Sequence, residues 1–463
     1  MARKFLLGLT AFWMLTLFTV VLQVQPIGAQ PRQQRERAQQ LASEGDSFYR
    51  QKNYRSAIEK YAQAIALAPK YPYAYYSKGY SHYNLGEYDQ AVSDFSKALE
   101  QGYKPIDVYT IRWQAHYWRK DYDSALEDAQ AALSLQPTSS YFNLAVGDAY
   151  RAKGDFRSAV NSYKRASELD KNNGDIHYFI ALCYNQMGEY LEQGLAAMEG
   201  IRKNTKYKAE SWEYVGQTFQ FGRKYEEAAR AYEQALSIKP KMRDVYTNLS
   251  EVYRVMNRYD DAINTVLRSL RHYPNDGNSY ISLSWYYSLA DRHKEAVTAA
   301  LNATKYAPDQ YMGYTNLCRA YNDLKEYNLA VQACGKALQL SPGDGETYFY
   351  LARAFDFQGK SAQATDAYKK AVVGLIKFTE NNPDYSDGYY LLGNAYFAID
   401  QRANAIAAYK KCLELTPNFS RARYNLGYIY AVSGNKALAR EQYNALVNLD
   451  ADLAERLLGA INK

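Results

Sequence analysis

The sequence predicts an all-α solenoid, a stack of paired helices that share one continuous core. Three observations carry that prediction. Small and aromatic residues recur every 34 positions along most of the chain, helix formers dominate the composition while β-branched runs are scarce, and apolar residues within each period are spaced by three, four and seven. A chain of 463 residues that is 47% hydrophobic and 23% charged has the composition of a folded protein.

The first thirty residues stand apart from the periodic region. Arg3 and Lys4 precede an almost uncharged apolar run from Phe5 to Val24, and Pro26 breaks it, which is the anatomy of a secretory signal. Residues 1–29 are therefore expected to be a signal peptide cleaved before Gln30, with 30–37 a short linker. The run is close to membrane-spanning length, so an uncleaved anchor is the alternative, and contact with a membrane is expected only in that case. No cysteine follows the run, which disfavours a lipid anchor of the bacterial type. Either way the remainder is expected to be exported, periplasmic or secreted.

Alanine marks the period at Ala57, Ala91, Ala125 and Ala159, then at Ala228, Ala262, Ala296, Ala330 and Ala364, and finally at Ala405 and Ala439. Twelve positions upstream of each lies a second series, Gly45, Gly79, Trp113, Gly147, Ala181, Gly216, Ser250, Ser284, Cys318, Ala352, Gly393 and Gly427, small in every case but Trp113. Three residues later comes a third, aromatic except at His82 and His116. Within each unit the helical spacing appears twice, on either side of turns that read LGEY, RKDY, KGDF, MGEY, MNRY and LKEY, so each unit is a helical hairpin. Small residues are needed where helix axes cross closely, and large rings fill the volume beside them. Twelve units begin at Ala38, Pro72, Ile106, Ser140, Gly174, Ala209, Arg243, Gly277, Tyr311, Gly345, Ser386 and Ser420.

Two units depart from the pattern. The fifth has Gln193 or Gly194 where alanine is expected and one extra residue, which predicts a bend or looser joint. The tenth has seven extra residues, which predicts a second helix longer by about two turns. The end of the chain, DLAERLLGAINK, places Leu453, Leu457 and Ile461 on one side and Asp452, Glu455 and Arg456 on the other, as a capping helix would.

This pattern resembles the tetratricopeptide repeat (TPR) family. The second unit matches it as Gly79, Tyr88, Ala91, Phe95 and Ala98, units close on Pro69, Pro137, Pro240, Pro274, Pro308, Pro342 and Pro417, and the resemblance covers residues 38 to about 453. It implies an α-solenoid, a right-handed superhelix of about twelve TPR hairpins over 38–453, with 454–463 the end of the capping helix. The chain's 48 tyrosines then divide by role. Tyr75 and the turn residues Tyr54, Tyr88, Tyr122, Phe156, Tyr190, Tyr225, Tyr259 and Tyr327 are packing residues. Tyr73, Tyr76, Tyr80 and Tyr83 do not fall at core positions.

Several function classes are excluded or disfavoured. A formal charge of +7, falling to +5 without Arg3 and Lys4, is not gathered into any long basic run, so nucleic acid is not an expected partner. The chain has no GxGxxG, GxxxxGK, GxSxG or HExxH, and no enzyme activity or cofactor is expected. His82 and His116 are equivalent positions one repeat apart, too distant to share a metal without further ligands, so no metal site is expected and both read as core residues in an aromatic slot. The cysteines show no metal-ligand spacing. Cys318 and Cys334 fall on the two helices of the ninth unit, where they could form a bridge in an oxidising compartment or lie as two small buried apolar residues.

The resemblance also implies a binding surface. In the family, the first helix of each hairpin lines the concave side and its outward positions hold the ligand. Carried over, this gives Tyr73, Tyr76, Tyr80 and Tyr83 in the second unit, Tyr117 and Trp118 in the third, Tyr141 in the fourth and Tyr178 in the fifth. Farther along come Phe221, Trp285, Phe349, Phe357, Tyr390, Phe397, Tyr424 and Tyr428, with Arg151, Glu213, Gln217, Glu251, Arg254, Arg319, Arg353, Asn394 and Arg421 interleaved. Exposed rings on one face with polar groups around them mark a binding surface, and tyrosine adds a hydroxyl at small entropic cost. The family's clamp for a C-terminal carboxylate is not found: Ala42 and Asp46 hold the corresponding places in the first unit, and Asn248, Asn316 and Asn425 lack the partnering Lys and Arg. The expected function is an exported, non-enzymatic scaffold that holds an extended peptide or partner protein. A carbohydrate-handling module in exopolysaccharide export or envelope assembly, binding polysaccharide through its rings, is the alternative.

Overall fold

The computed structural model describes residues 32–462, so the expected signal segment lies outside the described residues. The described residues form helices joined by short turns, with no strands among them. The chain divides into two compact units at Arg223 and Lys224. In the first, the hairpins are α1 (Arg32–Arg50) with α2 (Tyr54–Leu67), α3 (Pro72–Leu85) with α4 (Tyr88–Glu100), α5 (Pro105–Trp118) with α6 (Tyr122–Leu135), α7 (Ser140–Lys153) with α8 (Phe156–Leu169), and α9 (Gly174–Met187) with α10 (Tyr190–Arg202). Helix α11 (Lys208–Phe221) ends that unit. The second opens with α12 (Tyr225–Ile238) and continues with α13 (Arg243–Val255) and α14 (Tyr259–His272), α15 (Gly277–Leu289) and α16 (His293–Tyr306), α17 (Tyr311–Asp323) and α18 (Tyr327–Leu340). It ends with α19 (Gly345–Phe357) and α20 (Ser361–Asn381), α21 (Ser386–Ala398) and α22 (Arg402–Leu415), α23 (Ser420–Val432) and α24 (Lys436–Leu446), and the closing helix α25 (Ala451–Ile461). The division between units thus falls inside the sixth repeat period, not in the degenerate fifth.

Local chemistry sets the helix ends. Pro72 and Pro105 occupy first turns, where a missing N–H costs nothing, and Asn53, Asp121, Asp155 and Asn435 cap second helices by accepting a backbone N–H. Each hairpin turn contains one residue with positive φ. It is glycine at Gly86, Gly154, Gly188, Gly359 and Gly434, but Lys52, Lys120, Arg223, Asn257, Asp291, Lys325 and Asp400 adopt the same conformation. Backbone bonds hold it there. In the ninth unit Lys325 N–H donates to the Asn322 carbonyl at 3.0 Å and Glu326 N–H to the Tyr321 carbonyl at 2.8 Å.

The recurring alanines, Ala57 through Ala439, are all sealed in the core. In the fifth unit the same place holds Gln193, wholly buried, whose Nε2 donates to Gln217 Oε1 at 2.9 Å. The small series on the first helices faces a definite partner sixteen positions on. A Cβ placed on Gly147 would stand 2.5 Å from Tyr163, and one on Gly393 would stand 2.6 Å from Tyr409. Those rings are among the largest wholly buried side chains, so the glycines exist to admit them. In the third unit the volumes are exchanged: Trp113 takes the first place, Ala129 the second, and both lie in one core cluster. In the ninth unit the pair is Cys318 and Cys334, joined as a disulfide with Cα atoms 5.3 Å apart.

The tenth unit's second helix, α20, has 21 residues against 14 for α18. Its added turns bury Leu375 and Thr379, and Phe378 lies against Gly388 of α21, so the extension serves packing. Helix α25 buries Ala454, Leu457 and Ile461 and turns Asp452, Glu455 and Arg456 to solvent, with Leu457 seated on Gly427. Among the described residues no helix is long and apolar enough to cross a membrane.

Candidate functional site

The inner face of the first unit is a wall of half-buried tyrosines carried by α3, α5, α7 and α9. Tyr73 donates to Asp46 Oδ1 and Oδ2, both at 2.9 Å, and Tyr83 donates to Gln114 Oε1 at 2.9 Å. Gln114 Nε2 in turn donates to the Tyr141 hydroxyl at 2.8 Å. Tyr76 stacks on Tyr103 at 4.4 Å, and Tyr178 on Tyr207 at 4.2 Å. Tyr80 meets Tyr49 edge-on at 5.9 Å, Tyr117 meets Trp118 at 5.6 Å, and the Tyr117 hydroxyl accepts from Arg151. The expectation of freely exposed rings is corrected here: each ring leans on another side chain, in its own repeat or the next, and most hydroxyls already have a partner, because a helix pair leaves ring-sized space beside it. Burial pushes the Tyr76 hydroxyl well above the usual phenol range and that of Tyr141 up to about 12.

In the second unit the inner helices curve until α13 meets α21. Arg254 donates from Nη1 to Asp387 Oδ2 at 3.2 Å and from Nε and Nη2 to the two oxygens of Glu251 at 2.8 and 2.6 Å, while its guanidinium lies over Trp285 at 4.8 Å. Arg421 repeats the closure one hairpin on, with Nη2 3.5 Å from the Leu289 carbonyl oxygen. Between them Arg319 donates to Asn316 Oδ1, lies over Tyr350 at 5.3 Å and comes within 3.8 Å of Glu346. Burial raises the carboxyl of Asp387 above the usual range against the pull of Arg254, and raises that of Glu346 to about 7. One predicted groove residue is thereby corrected: Arg319 is only 8% exposed and is folded into the core, whereas Phe349, 7% exposed, still presents an edge to the hollow described next.

Past this closure the face opens into a hollow of about 340 Å³ between α19, α21 and α23. Arg353, Asn394 and Asn425 supply its polar groups, and Phe349, Phe357, Phe397 and Tyr428 supply rings. Asn394 Oδ1 accepts from Tyr409 at 2.6 Å and from Asn425 at 2.8 Å, which locks the amide. Arg353 has Asp323 at 3.9 Å and lies beside the exposed Phe357 ring. Tyr390 packs on Phe419 at 5.0 Å, next to this hollow rather than in its lining. Positional reasoning found Phe349, Arg353 and Asn394 but missed Tyr368 and Tyr409, which come from second helices, and Tyr103 and Tyr207, which come from the turns between repeats. Proximity of those turn tyrosines to a first-helix tyrosine was the only signal, and it exists in three dimensions alone.

His82 and His116 are buried, each between two carboxylates: His82 Nδ1 is 2.6 Å from Glu87 and Nε2 3.6 Å from Asp94, and His116 Nδ1 is 3.2 Å from Asp121 and Nε2 3.7 Å from Asp128. Burial lowers the His116 pKa below the usual imidazole value, so the neutral ring is the form favoured near neutral pH. Among the described residues no group of three or more His, Cys, Asp or Glu is placed to hold a metal ion.

Family models described as tetratricopeptide repeat match residues 43–103, 223–284, 313–344, 386–419 and 408–441, and one described as TPR repeat matches 147–188. No curated protein matches the chain. Among solved structures, yeast Tom70 is 16% identical with TM-score 0.42, covering 92% of this chain and 94% of its own. Cut9 in its complex with Hcn1 is 14% identical with TM-score 0.38, covering 91% and 96%, and MamA is 21% identical with TM-score 0.33, covering 36% and 97%. The repeat period, the buried small–large pairs of the hairpins and the family-model matches together place the chain in the tetratricopeptide repeat family, as a scaffold for protein–protein interaction.

Proposed function

We propose that this chain is an exported, non-enzymatic scaffold that holds an extended segment of a partner protein along the inner faces of its first helices. The observation that carries this reading is the hollow at Arg353, Asn394 and Asn425, where the Arg353 guanidinium and the Asn394 amide N–H can donate to backbone carbonyls and Asn425 Oδ1 can accept from a backbone N–H, among rings that suit apolar side chains. Export is supported by the Cys318–Cys334 disulfide, a bond that persists in oxidising compartments, and by the signal-like leader. The test is a peptide array probed with the full chain and with Arg353→Gln. Retained peptides that the variant loses, at unchanged melting temperature, support the reading. Binding confined to a glycan array would replace it with the carbohydrate-handling alternative.

A further inference from the structure

Two carboxylates of the first unit act electrostatically on a stacked pair of rings. Asp46 of α1 accepts from the Tyr61 hydroxyl at 2.6 Å and from Tyr73 at 2.9 Å, and Asp107 lies in the first turn of α5. Neither forms an ion pair among the described residues; Arg50 and Lys104 are the cations that act on them, from their own helix ends. Tyr76 and Tyr103 stack at 4.4 Å with planes 16° apart, and the charges of both Asp46 and Asp107 reach the Tyr103 hydroxyl. Burial raises both carboxyls above the usual range, so each lacks a counter-charge close enough to offset its lost hydration.

Ring faces attract cations, and a carboxylate beside the ring adds its own field. A neutral sugar or an acidic segment laid over this stack would desolvate the two carboxylates further and give nothing back, whereas an ammonium or guanidinium would compensate them. The chain as a whole carries a formal +7, so its bulk charge does not account for an attraction to basic segments.

We infer that this face docks a lysine- or arginine-bearing extended segment of a partner protein, with one cationic side chain on the Tyr76–Tyr103 stack in the field of Asp46 and Asp107. This rests on the reading of the inner faces as protein-binding surfaces and adds the chemistry of what they take.

Fluorescence anisotropy of the full chain with three labelled peptides of equal length, alternating Lys–Ala, Glu–Ala and Gln–Ala, provides the test. The Lys–Ala peptide is expected to bind, and to weaken as salt is raised. Asp107→Asn is expected to weaken it by about threefold, and Asp46→Asn with Asp107→Asn by about tenfold. Tyr76→Leu, which keeps apolar volume without the ring, weakens it as well. Because Asp46 also holds Tyr61 and Tyr73, the single Asp107→Asn variant decides the matter if the double variant melts early. Equal binding of the Gln–Ala or Glu–Ala peptide, or Lys–Ala binding indifferent to Asp107→Asn, overturns the inference while leaving the inner face a protein-binding surface. Failure of all three peptides alongside binding of a neutral oligosaccharide overturns both.

Discussion

Arg254 on α13 and Asp387 on α21 are joined by a hydrogen bond of 3.2 Å although 133 residues of chain separate them. Both side chains are largely shielded from water, so the pair depends on mutual neutralisation. Arg254→Ala leaves Glu251 and Asp387 without their direct hydrogen-bonded cation and is expected to cost about 3 kcal/mol in urea unfolding followed by circular dichroism. Asp387→Asn should cost less, since Glu251 still neutralises the guanidinium. An Asp387→Asn variant as stable as the native chain would show that the contact between α13 and α21 carries no special weight.

Glu346 makes the second unit sensitive to pH. More than a third of its side-chain surface meets groove water, yet its carboxyl lies deep between inner helices, and burial raises it from an ordinary 4.5 to about 7 despite Arg319. The folded chain therefore holds this proton more tightly than the unfolded chain. Its contribution to stability is fully present below about 4.5 and is lost as pH rises through about 7. Asp344 and Asp387, the other carboxyls facing it, are raised too and act in the same direction. Melting curves taken from acid to mildly alkaline pH should fall across this window, and Glu346→Gln should flatten the fall. A variant that keeps the full slope would assign the effect elsewhere.

The same substitution should have opposite signs at two glycines. Gly147→Ala drives a Cβ into the Tyr163 ring and is expected to destabilise by about 1 to 3 kcal/mol. At Gly335, within α18, the added methyl meets nothing within 4 Å, so Gly335→Ala should stabilise by about 0.5 to 1 kcal/mol through helix propensity. Thermal denaturation of both variants checks the pair. Equal effects would mean that the small series reflects composition rather than ring packing.

The disulfide closes a loop of 16 residues within the ninth hairpin. Replacing both Cys318 and Cys334 by serine should lower stability by about 3 kcal/mol, and the same loss should follow reduction of the native chain before melting. The free cysteines offer no substitute bridge: Cys183 and Cys412 are buried, and burial pushes the Cys183 thiol up to about 12. Insensitivity to reductant would show that the bond adds nothing the packing does not already supply.

The sequence by itself determined the hairpins and the role of most of the small residues, because a period of 34 writes nearly the same local contact in unit after unit. It showed the extended α20 as seven extra residues and the closing α25 as an amphipathic end. Half of the Cys318–Cys334 question was also visible, since both fall at the small–large contact that Gly147 and Tyr163 make in the fourth unit. Only the tertiary structure decided how far the inner helices curve. That curvature brings Arg254 to Asp387, buries Arg319 and Phe349, and leaves Arg353 and Asn394 on an open hollow. The reason is physical: the period fixes contacts within and between adjacent repeats, while small rotations per repeat accumulate with distance, and no single residue in the sequence records their sum.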